Sequence, residues 1–227
     1  VNFVEEQSTK RKFISYGFSR LDGRLYSDYG DFVVLAGRPS AGKTAMALQM
    51  AVHMGRHDKV GFYSLETSPA KLTNRIIANR AIVDFGRINR REMTQEEWER
   101  VVRLKGEIME SDVELIPASG WSVQDILSTA LQRRHKIIFI DYLQQLTGRG
   151  KDRFEQVTRI SLDLHAMAQT HGILVVALSQ LNRASTARPD AAPTLTDLRE
   201  SGQIEQDADA VLALYINEEE NAPPNER

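Results

Sequence analysis

The stretch GRPSAGKT has the residue types and spacing of a phosphate-binding turn, G-x-x-x-x-G-K-[S/T]. Its glycines let successive backbone N–H groups point at phosphate oxygens, and the helix that follows adds a partial positive charge. Lys43 supplies a cation for the outer phosphates, and the Thr44 hydroxyl can bind Mg²⁺. The sequence therefore predicts a site for a nucleoside triphosphate with Mg²⁺. The predicted turn consists of Gly37, Arg38, Pro39, Ser40, Ala41, Gly42, Lys43 and Thr44.

Two carboxylates follow other apolar stretches of the chain. Asp141 ends IIFID, and Glu66 follows the apolar residues of FYSLETS. At the end of a buried strand, Asp141 can organise the Mg²⁺ shell, partly through water, although an Asp there can also cap a loop. Glu66 is a candidate general base that orients water on the γ-phosphate. The spacing leaves a second interpretation open, in which Glu66 is an acid at the start of the helix beginning in ETSPAKL.

These residues need a scaffold that brings strand ends together, and the chain has the pattern of one. Apolar stretches alternate with helical patterns, which predicts an α/β fold with a mostly parallel central sheet and helices on both faces. KIIFID and GILVVALS are typical of central strands buried on both faces. The predicted strands are 32–36, 60–65, 113–116, 137–140, 173–178 and 210–216, and the predicted helices are 43–54, 69–81, 95–110, 123–134 and 153–170.

Local patterns mark several helix ends. Thr94 with Glu97, and Ser122 with Asp125, have the spacing of capping boxes, in which hydroxyl and carboxylate each satisfy a free backbone N–H. Gly172 can end the helix predicted at 153–170. One face of that helix is predicted to pack in the core, and it consists of Phe154, Val157, Ile160, Leu164 and Met167.

Composition limits the class of protein. The 227 residues include no cysteine and carry a formal net charge of −2, which suits a domain without disulfides and argues against coating nucleic acid through overall charge. No apolar run is long enough to span a membrane, so no membrane partner is expected. The run RRHK at 133–136 is expected to be plain surface. Because the first residue is Val1 rather than Met, we expect a fragment.

Five motifs in order, AGRPSAGKT, YSLETS, IIFIDYLQ, LSQLNR and DLRESGQIEQDAD, resemble those of the DnaB-type replicative DNA helicases over residues 17–215. The resemblance implies a RecA-like P-loop ATPase core that forms a ring, typically a hexamer, around single-stranded DNA. ATP would lie between subunits, and the ring would move 5′ to 3′. It also implies a cytoplasmic setting in a bacterial or phage replisome, where primase and a helicase loader would meet the full-length protein.

The resemblance also implies roles for individual residues. Lys43 and Thr44 would bind phosphate and Mg²⁺, Glu66 would be the catalytic base, and Asp141 would serve the metal. Gln180, in LSQ, resembles the γ-phosphate sensor that links the nucleotide to the DNA loops. Arg75 falls at the family's position for an arginine in the helix after Glu66 and would approach the γ-phosphate; a solvent-facing helix arginine is the alternative.

DNA contacts are expected from loops at the same edge of the sheet. In DLRESG, Arg199, Glu200 and Gly202 resemble the family's loop that contacts the DNA backbone. A translocase that holds any sequence should bind phosphates and ignore base edges, which suits Arg199 and a backbone N–H near Gly202. Glu200 would act through its backbone or by positioning Arg199. Further basic candidates in loops are Arg149, Lys151, Arg153, Arg183 and Arg188.

The chain also departs from the family pattern. It lacks the usual Gly-Gly before the first strand, and it stops before the basic residues that enter the neighbouring subunit's ATP site. We therefore divide it into an N-terminal arm or linker (1–12), a RecA-like ATPase domain (13–217) and a truncated or flexible acidic tail (218–227). The nearest alternative is a RecA-type recombination or repair ATPase. A P-loop kinase and a non-catalytic nucleotide-gated adaptor are more distant alternatives.

Overall fold

A computed structural model describes residues 13–181, 193–194, 197–198 and 202–215, without the side chains of 105 and 107–109. The strands are β1 (Phe32–Gly37), β2 (Val60–Ser64), β3 (Val113–Pro117), β4 (Ile137–Asp141), β5 (Leu174–Gln180) and β6 (Ala210–Leu214). Within the described part of the chain they form one six-stranded sheet in the order β3-β2-β4-β5-β1-β6. Every neighbouring pair is parallel, which confirms the predicted sheet type.

Helices connect the strands and cover both faces of the sheet. They are α1 (Ser19–Asp22), α2 (Lys43–Met54), α3 (Pro69–Ala81), α4 (Phe85–Arg90), α5 (Gln95–Met109), α6 (Val123–Arg133), α7 (Arg153–His171) and α8 (Gly202–Asp207), with a 3₁₀ turn at Leu143–Gln145. All predicted strands and helices are present, with ends within two residues of the prediction. The elements not predicted are α1, α4, α8 and the 3₁₀ turn, which are too short for a helical period to show.

Most of the described core consists of two apolar layers, one on each face of the sheet, and a third, small cluster contains Ala81, Val83 and Ile88. On one face α2 and α3 pack with the segment before β1, through residues such as Leu48, Leu72 and Tyr16. On the other face α6, α7 and α8 contribute residues such as Ile126 and Leu164. The central strands β4 and β5 are buried on both faces, apart from the last residue of β5, as their apolar sequences predicted.

The predicted helix ends are confirmed. Glu97 N donates to Thr94 Oγ1 at 3.2 Å, and Thr94 N donates to the Glu97 carboxylate at 2.8 Å. Ser122 and Asp125 form the equivalent capping box on α6. Gly172 ends α7 with a φ of 59°, in the left-handed region that glycine adopts without strain. Within the described residues, no helix has both the length and the apolar character that crossing a bilayer requires.

The predicted core face of α7 is wrong at one residue. Val157, Ile160, Leu164 and Met167 are buried, but Phe154 is 55% exposed. A helix of 19 residues is about 28 Å long, whereas a strand of 7 residues such as β5 spans about 23 Å. The helix is therefore longer than the strand, and Phe154 lies in its first turn, at one end of the helix.

The RRHK run is not plain surface, because its histidine is buried. His135 is 2% exposed and lies at the amino edge of the sheet, just before β4. Its Nδ1 is 2.9 Å from the Tyr63 hydroxyl, and its Nε2 is 3.5 Å from the Glu114 carboxylate. Burial raises the pKa of Glu114, but hydrogen bonds from Arg133 and Lys59, together with nearby His135, lower it to about 2. The RRHK run thus contributes the buried imidazole ring of His135 and the ion pair between Arg133 and Glu114.

This cluster is expected to make the free energy of unfolding depend on pH. Burial lowers the pKa of His135 below 6.5, although Glu114 partly opposes the shift, so the unfolded chain binds a proton more readily than the folded chain. The free energy of unfolding should therefore be at its full value above about pH 6.5 and fall as the pH decreases below it. Urea unfolding between pH 7.5 and 5.5 measures this slope. Burial also lowers the pKa of His53, so this second histidine adds to the pH dependence of the free energy of unfolding.

His135→Gln should flatten this pH dependence without removing it. At pH 7.5 the variant should be less stable by about 1–3 kcal/mol, because the buried Tyr63 hydroxyl loses its partner. His171→Gln, at an exposed histidine in the last turn of α7, serves as the matched control and should keep the wild-type slope. An unchanged slope in His135→Gln would contradict the assignment.

Candidate nucleotide-binding site

The order of the strands brings the predicted site residues to one edge of the sheet. β5 lies between β1, which enters the phosphate-binding turn, and β4, which ends at Asp141. In the register, Gly37 is opposite Gln180, and Ser64 is opposite Asp141. Because all the strands are parallel, their carboxyl ends lie at one edge. Residues from four separate parts of the sequence therefore meet there.

The phosphate-binding turn has the backbone that its glycines predict. Gly42 has a φ of 92° and immediately precedes α2, while Ser40 adopts a φ of 63° without being glycine. At Gly37 an added Cβ would lie 2.8 Å from the Leu214 carbonyl oxygen, so the approach of β6 requires glycine. The first residues of α2, from Lys43 to Ala45, line the cleft. Backbone N–H groups at the start of a helix have no partner within the helix and can bind an anion.

Lys43 lies folded back onto the turn. Its Nζ donates to the carbonyl oxygens of Gly37 at 2.8 Å and Arg38 at 2.9 Å. Burial lowers the pKa of Lys43, and the neighbouring Asp141 carboxylate opposes this shift. The ammonium group is thus already held at the sheet edge by two neutral acceptors, which charged phosphate oxygens can replace.

A cleft of about 530 Å³ joins these elements. Its lining residues are Pro39, Ser40, Gly42, Lys43, Thr44, Ala45, Glu66, Thr67, Arg75, Asp141, Tyr142 and Gln180. All four residues predicted to take part in catalysis are among them, as are both predicted metal ligands. Gly37, Arg38 and Ala41 belong to the same turn but do not line the cleft. A volume of this size is in the range of small-molecule sites.

Asp141 and Thr44 form the polar centre of the cleft. Asp141 is 7% exposed, and burial raises the pKa of its carboxyl group. A hydrogen bond with the Thr44 side chain and the positive charges of Arg75 and Lys43 act in the opposite direction. A hydroxyl and a carboxylate are oxygen ligands of the kind that Mg²⁺ prefers, and Mg²⁺ commonly takes its remaining ligands from water and substrate phosphates. The pair therefore fits this metal.

Glu66 is exposed at the cleft, not part of a helix. The next helix, α3, starts at Pro69 with Ser68 as its N-cap, and no acidic residue lies in its first turn. Glu66 is close enough to Asp141 that repulsion between the two carboxylates raises the pKa of Asp141. The location therefore favours the chemical interpretation of Glu66 over that of a helix-start acid.

Arg75 is half-buried rather than solvent-facing. Its guanidinium lies 5.8 Å from the centre of the Phe85 ring, a cation–π contact, and its charge acts on Asp141. Phe85 begins α4, which was not predicted. Sequence reasoning missed Phe85 because a single aromatic residue ten positions from Arg75 carries no local pattern. Tyr142 was also missed, although it lies inside the quoted motif IIFIDYLQ.

Four of the predicted DNA-contacting residues lie in the described part of the chain, and they are Arg149, Lys151, Arg153 and Gly202. Arg149 is exposed in the connection between β4 and α7, which leaves the edge that carries Asp141, and Gly202 begins α8. Arg183, Arg199 and Glu200 lie outside the described residues, as do Arg188, the arm at 1–12 and the tail at 218–227. The assignments of these residues stay predictions.

The parallel sheet and its phosphate-binding cleft define the class of protein, a P-loop nucleotide-binding protein with a RecA-like α/β fold. A sequence profile of the family described as DnaB-like helicase C terminal domain matches residues 14–227. The chain therefore belongs to the DnaB-like helicase family, as its motifs predicted.

Curated relatives and solved structures agree with this assignment. The replicative DNA helicase DnaB of Rickettsia typhi is 36% identical over 224 residues, covering 90% of this chain and 45% of the relative. A probable plasmid replicative DNA helicase of Chlamydia trachomatis is 35% identical over 228 residues, covering 97% and 50%. The chain thus spans about half the length of these curated relatives.

Two solved structures share the fold. A DnaB-like replicative helicase, studied with its interactions with primase, superposes with a TM-score of 0.88 at 36% identity, covering 97% of this chain and 55% of that one. A second structure, described as an ATPase domain, gives a TM-score of 0.87 at 36% identity, covering 99% and 82%. The predicted RecA-like fold is confirmed.

Proposed function

We propose that this chain is the motor domain of an ATP-dependent replicative DNA helicase. In this proposal, ATP is hydrolysed between subunits of a ring, and the ring moves 5′ to 3′ along single-stranded DNA and unwinds the duplex ahead. The main support is that Lys43, Glu66, Asp141 and Gln180 line one cleft. The segment 146–152, called here the basic connection because it contains Arg149 and Lys151, follows the strand that ends at Asp141. Membership of the DnaB-like helicase family and similarity to replicative DNA helicases support a DNA substrate. The 5′ to 3′ direction rests on the resemblance of the motifs alone.

The turn from Gly37 to Thr44 would hold the triphosphate. Its backbone N–H groups and the amino end of α2 would face the phosphate oxygens, and Lys43 would exchange two carbonyl partners for the outer phosphates. Thr44 and Asp141 would hold Mg²⁺, partly through water. Bound Mg²⁺ would neutralise charge that develops between the β- and γ-phosphates.

Glu66 would act as the general base. It is exposed at the cleft, so water reaches its carboxylate. The carboxylate would orient one water molecule in line with the γ-phosphorus and accept its proton, as the new P–O bond forms and the bond from the γ-phosphorus to the bridging oxygen breaks with ADP as the leaving group. Arg75, held against Phe85, would add positive charge on the same side of the cleft. An adaptor without catalytic function would not need a carboxylate in this position.

Gln180 would report the state of the nucleotide to the DNA. It is the last residue of β5, with its side chain at the cleft, and the chain continues directly into the segment that includes Arg183 and reaches Arg199. The side chains of Arg149, Arg183 and Arg199 would contact DNA phosphates, as would backbone groups near Gly202. Glu200 would contribute only through its backbone or by positioning Arg199. Loss of the γ-phosphate would release Gln180 and let this segment shift.

Single-stranded DNA affinity should fall steeply with salt and depend little on base sequence. Each phosphate that a basic side chain neutralises contributes a slope of roughly −0.7 to a plot of log K against log salt concentration. Arg149→Ala should therefore reduce the slope by about this amount and weaken all sequences equally. Fluorescence anisotropy of labelled oligonucleotides at several salt concentrations measures both effects. A strong preference for one sequence, with a flat salt response, would contradict binding through phosphates.

The proposal also implies partners. The protein would bind further copies of itself in a ring, a hexamer by family resemblance, and the complete protein would meet primase and a helicase loader in the cytoplasmic replisome of a bacterium or phage. It would not act at a membrane. Within the chain, 13–217 would form the ATPase domain, with 1–12 as an arm or linker and 218–227 as an acidic tail.

Strand displacement on a forked DNA duplex tests the proposed function. The complete protein should release the labelled strand only with ATP and Mg²⁺, and Lys43→Ala should release none. A strand-exchange assay performed alongside distinguishes the helicase from the RecA-type recombination alternative, because a recombinase should exchange strands without unwinding the duplex. ATP turnover that DNA does not stimulate would instead support a metabolic P-loop enzyme.

A further inference from the structure

At the carboxyl edge of the sheet, β5 extends further than its neighbour β4. The register between β4 and β5 ends with Ile140 opposite Ala177, whereas the register between β1 and β5 continues to Gly37 opposite Gln180. The chain after β4 turns away into the 3₁₀ turn at Leu143–Gln145. The last residues of β5 therefore lack a strand partner on the β4 side, where backbone polar groups need one.

The side chain of Gln144 occupies this position. The Gln180 N–H donates to Gln144 Oε1 at 3.3 Å, and Gln144 Nε2 lies 3.3 Å from the Gln180 carbonyl oxygen. The same Nε2 donates to the buried Ser179 hydroxyl at 2.9 Å. A primary amide offers a donor and an acceptor side by side, as a peptide group does. Gln144 thus replaces the missing residue of β4 and fixes the end of β5.

The backbone of Gln144 is linked to the residue that directly follows the basic connection. The Arg153 guanidinium donates to the Gln144 carbonyl oxygen. Arg153 begins α7 and directly follows the connection that contains Arg149. Gln144 therefore contacts both the strand end that carries Gln180 and the first residue of α7.

We propose that Gln144 is a positioning residue, which holds Gln180 at the nucleotide cleft and links it to Arg153, the residue that directly follows the basic connection at 146–152. This role rests on the proposed function, because it acts through the γ-phosphate contact assigned to Gln180. Without the amide of Gln144, the end of β5 would keep only its β1 partner, and the Gln180 side chain would lose its fixed direction.

Gln144→Ala should lower kcat for DNA-stimulated ATP hydrolysis by roughly ten- to a hundredfold, the usual cost of removing a group that orients another. KM for ATP should stay within about twofold of wild type, because the phosphate-binding turn is untouched. Thr147→Val is the matched control. It removes a hydrogen bond from the same connection, the one to the Gly120 carbonyl oxygen, and does not involve β5.

A double-mutant cycle separates positioning from a general loss of structure. If Gln144 acts through Gln180, then Gln144→Ala should add little to the loss that Gln180→Ala already causes. Full additivity of the two losses would overturn the positioning role. Should Gln144→Ala fail to fold, Gln144→Glu keeps the size and the acceptor but removes the donor to the Gln180 carbonyl oxygen, and the same cycle applies.

Amide hydrogen exchange provides a readout that does not depend on turnover. Exchange at Gln180 should be faster in Gln144→Ala than in wild type or Thr147→Val, because its N–H loses the Oε1 acceptor. Equal exchange would overturn the positioning role. A wild-type ATPase rate no higher than that of Lys43→Ala would overturn the proposed function, whereas an active wild type matched by Gln144→Ala would overturn only the role of Gln144.

Discussion

Glu66→Gln is expected to lower ATP turnover by roughly 10²- to 10⁴-fold, the usual contribution of a positioned general base, with ATP affinity close to that of wild type. Glutamine keeps the size and one acceptor oxygen of the side chain but cannot accept the proton of the attacking water. Binding should be spared because Glu66 lies outside the phosphate-binding turn and reaches the cleft from the end of β2. Single-turnover phosphate release and equilibrium binding of a fluorescent ATP analogue measure the two quantities separately.

Glu96→Gln provides the matched control for this substitution. The Glu96 side chain is 81% exposed on α5, so its loss should leave turnover unchanged. Removing the negative charge of Glu66 also removes a repulsion that raises the pKa of Asp141. Metal and nucleotide affinity should therefore not fall. If Glu66→Gln turns over ATP at the wild-type rate, another residue is the base.

The part of the site that follows from local sequence was predictable. A phosphate-binding turn needs only a short run with glycines at fixed positions, and Asp141 and Glu66 each end an apolar run. In a parallel sheet, residues that end strands meet at one edge whatever the order of the strands. The composition of the runs thus predicted that Lys43, Glu66 and Asp141 would lie at the same edge of the sheet, and the strand order then places them at one cleft.

Contacts that depend on the register were not predictable in this way. Gln144 contacts Gln180 because β4 ends earlier than β5, and strand ends are the least certain feature of a sequence-based prediction. Phe85 reaches Arg75 through a short helix with no detectable period. His135 lies in a run of basic residues whose composition indicates surface, yet the Cβ-less backbone of Gly61 leaves room for its ring. Each case rests on three-dimensional packing between segments distant in sequence.

Lys43→Ala is expected to weaken ATP binding by about 10²- to 10⁴-fold and to abolish measurable turnover. A charged hydrogen bond contributes roughly 1.5–3 kcal/mol, and Lys43 can make two of them with the outer phosphates. In the structure the same group donates to the carbonyl oxygens of Gly37 and Arg38, so these contacts must be exchanged when ATP binds. Alanine leaves the backbone N–H groups of the turn but no mobile cation. Titration calorimetry with ATP and Mg²⁺ measures the loss.

Lys136→Ala is the control for charge alone, because Lys136 is exposed just before β4, at the opposite edge of the sheet. It changes net charge by the same amount as Lys43→Ala and should bind ATP as wild type does. Lys43→Arg tests shape, since a guanidinium keeps the charge but is broader and planar. It should recover little of the affinity, because the Lys43 Nζ fits between the carbonyl oxygens of Gly37 and Arg38, at 2.8 Å and 2.9 Å, and a guanidinium is wider than an ammonium group. If Lys43→Ala bound ATP with wild-type affinity, ATP would not bind in this cleft, and the proposed motor function would be contradicted.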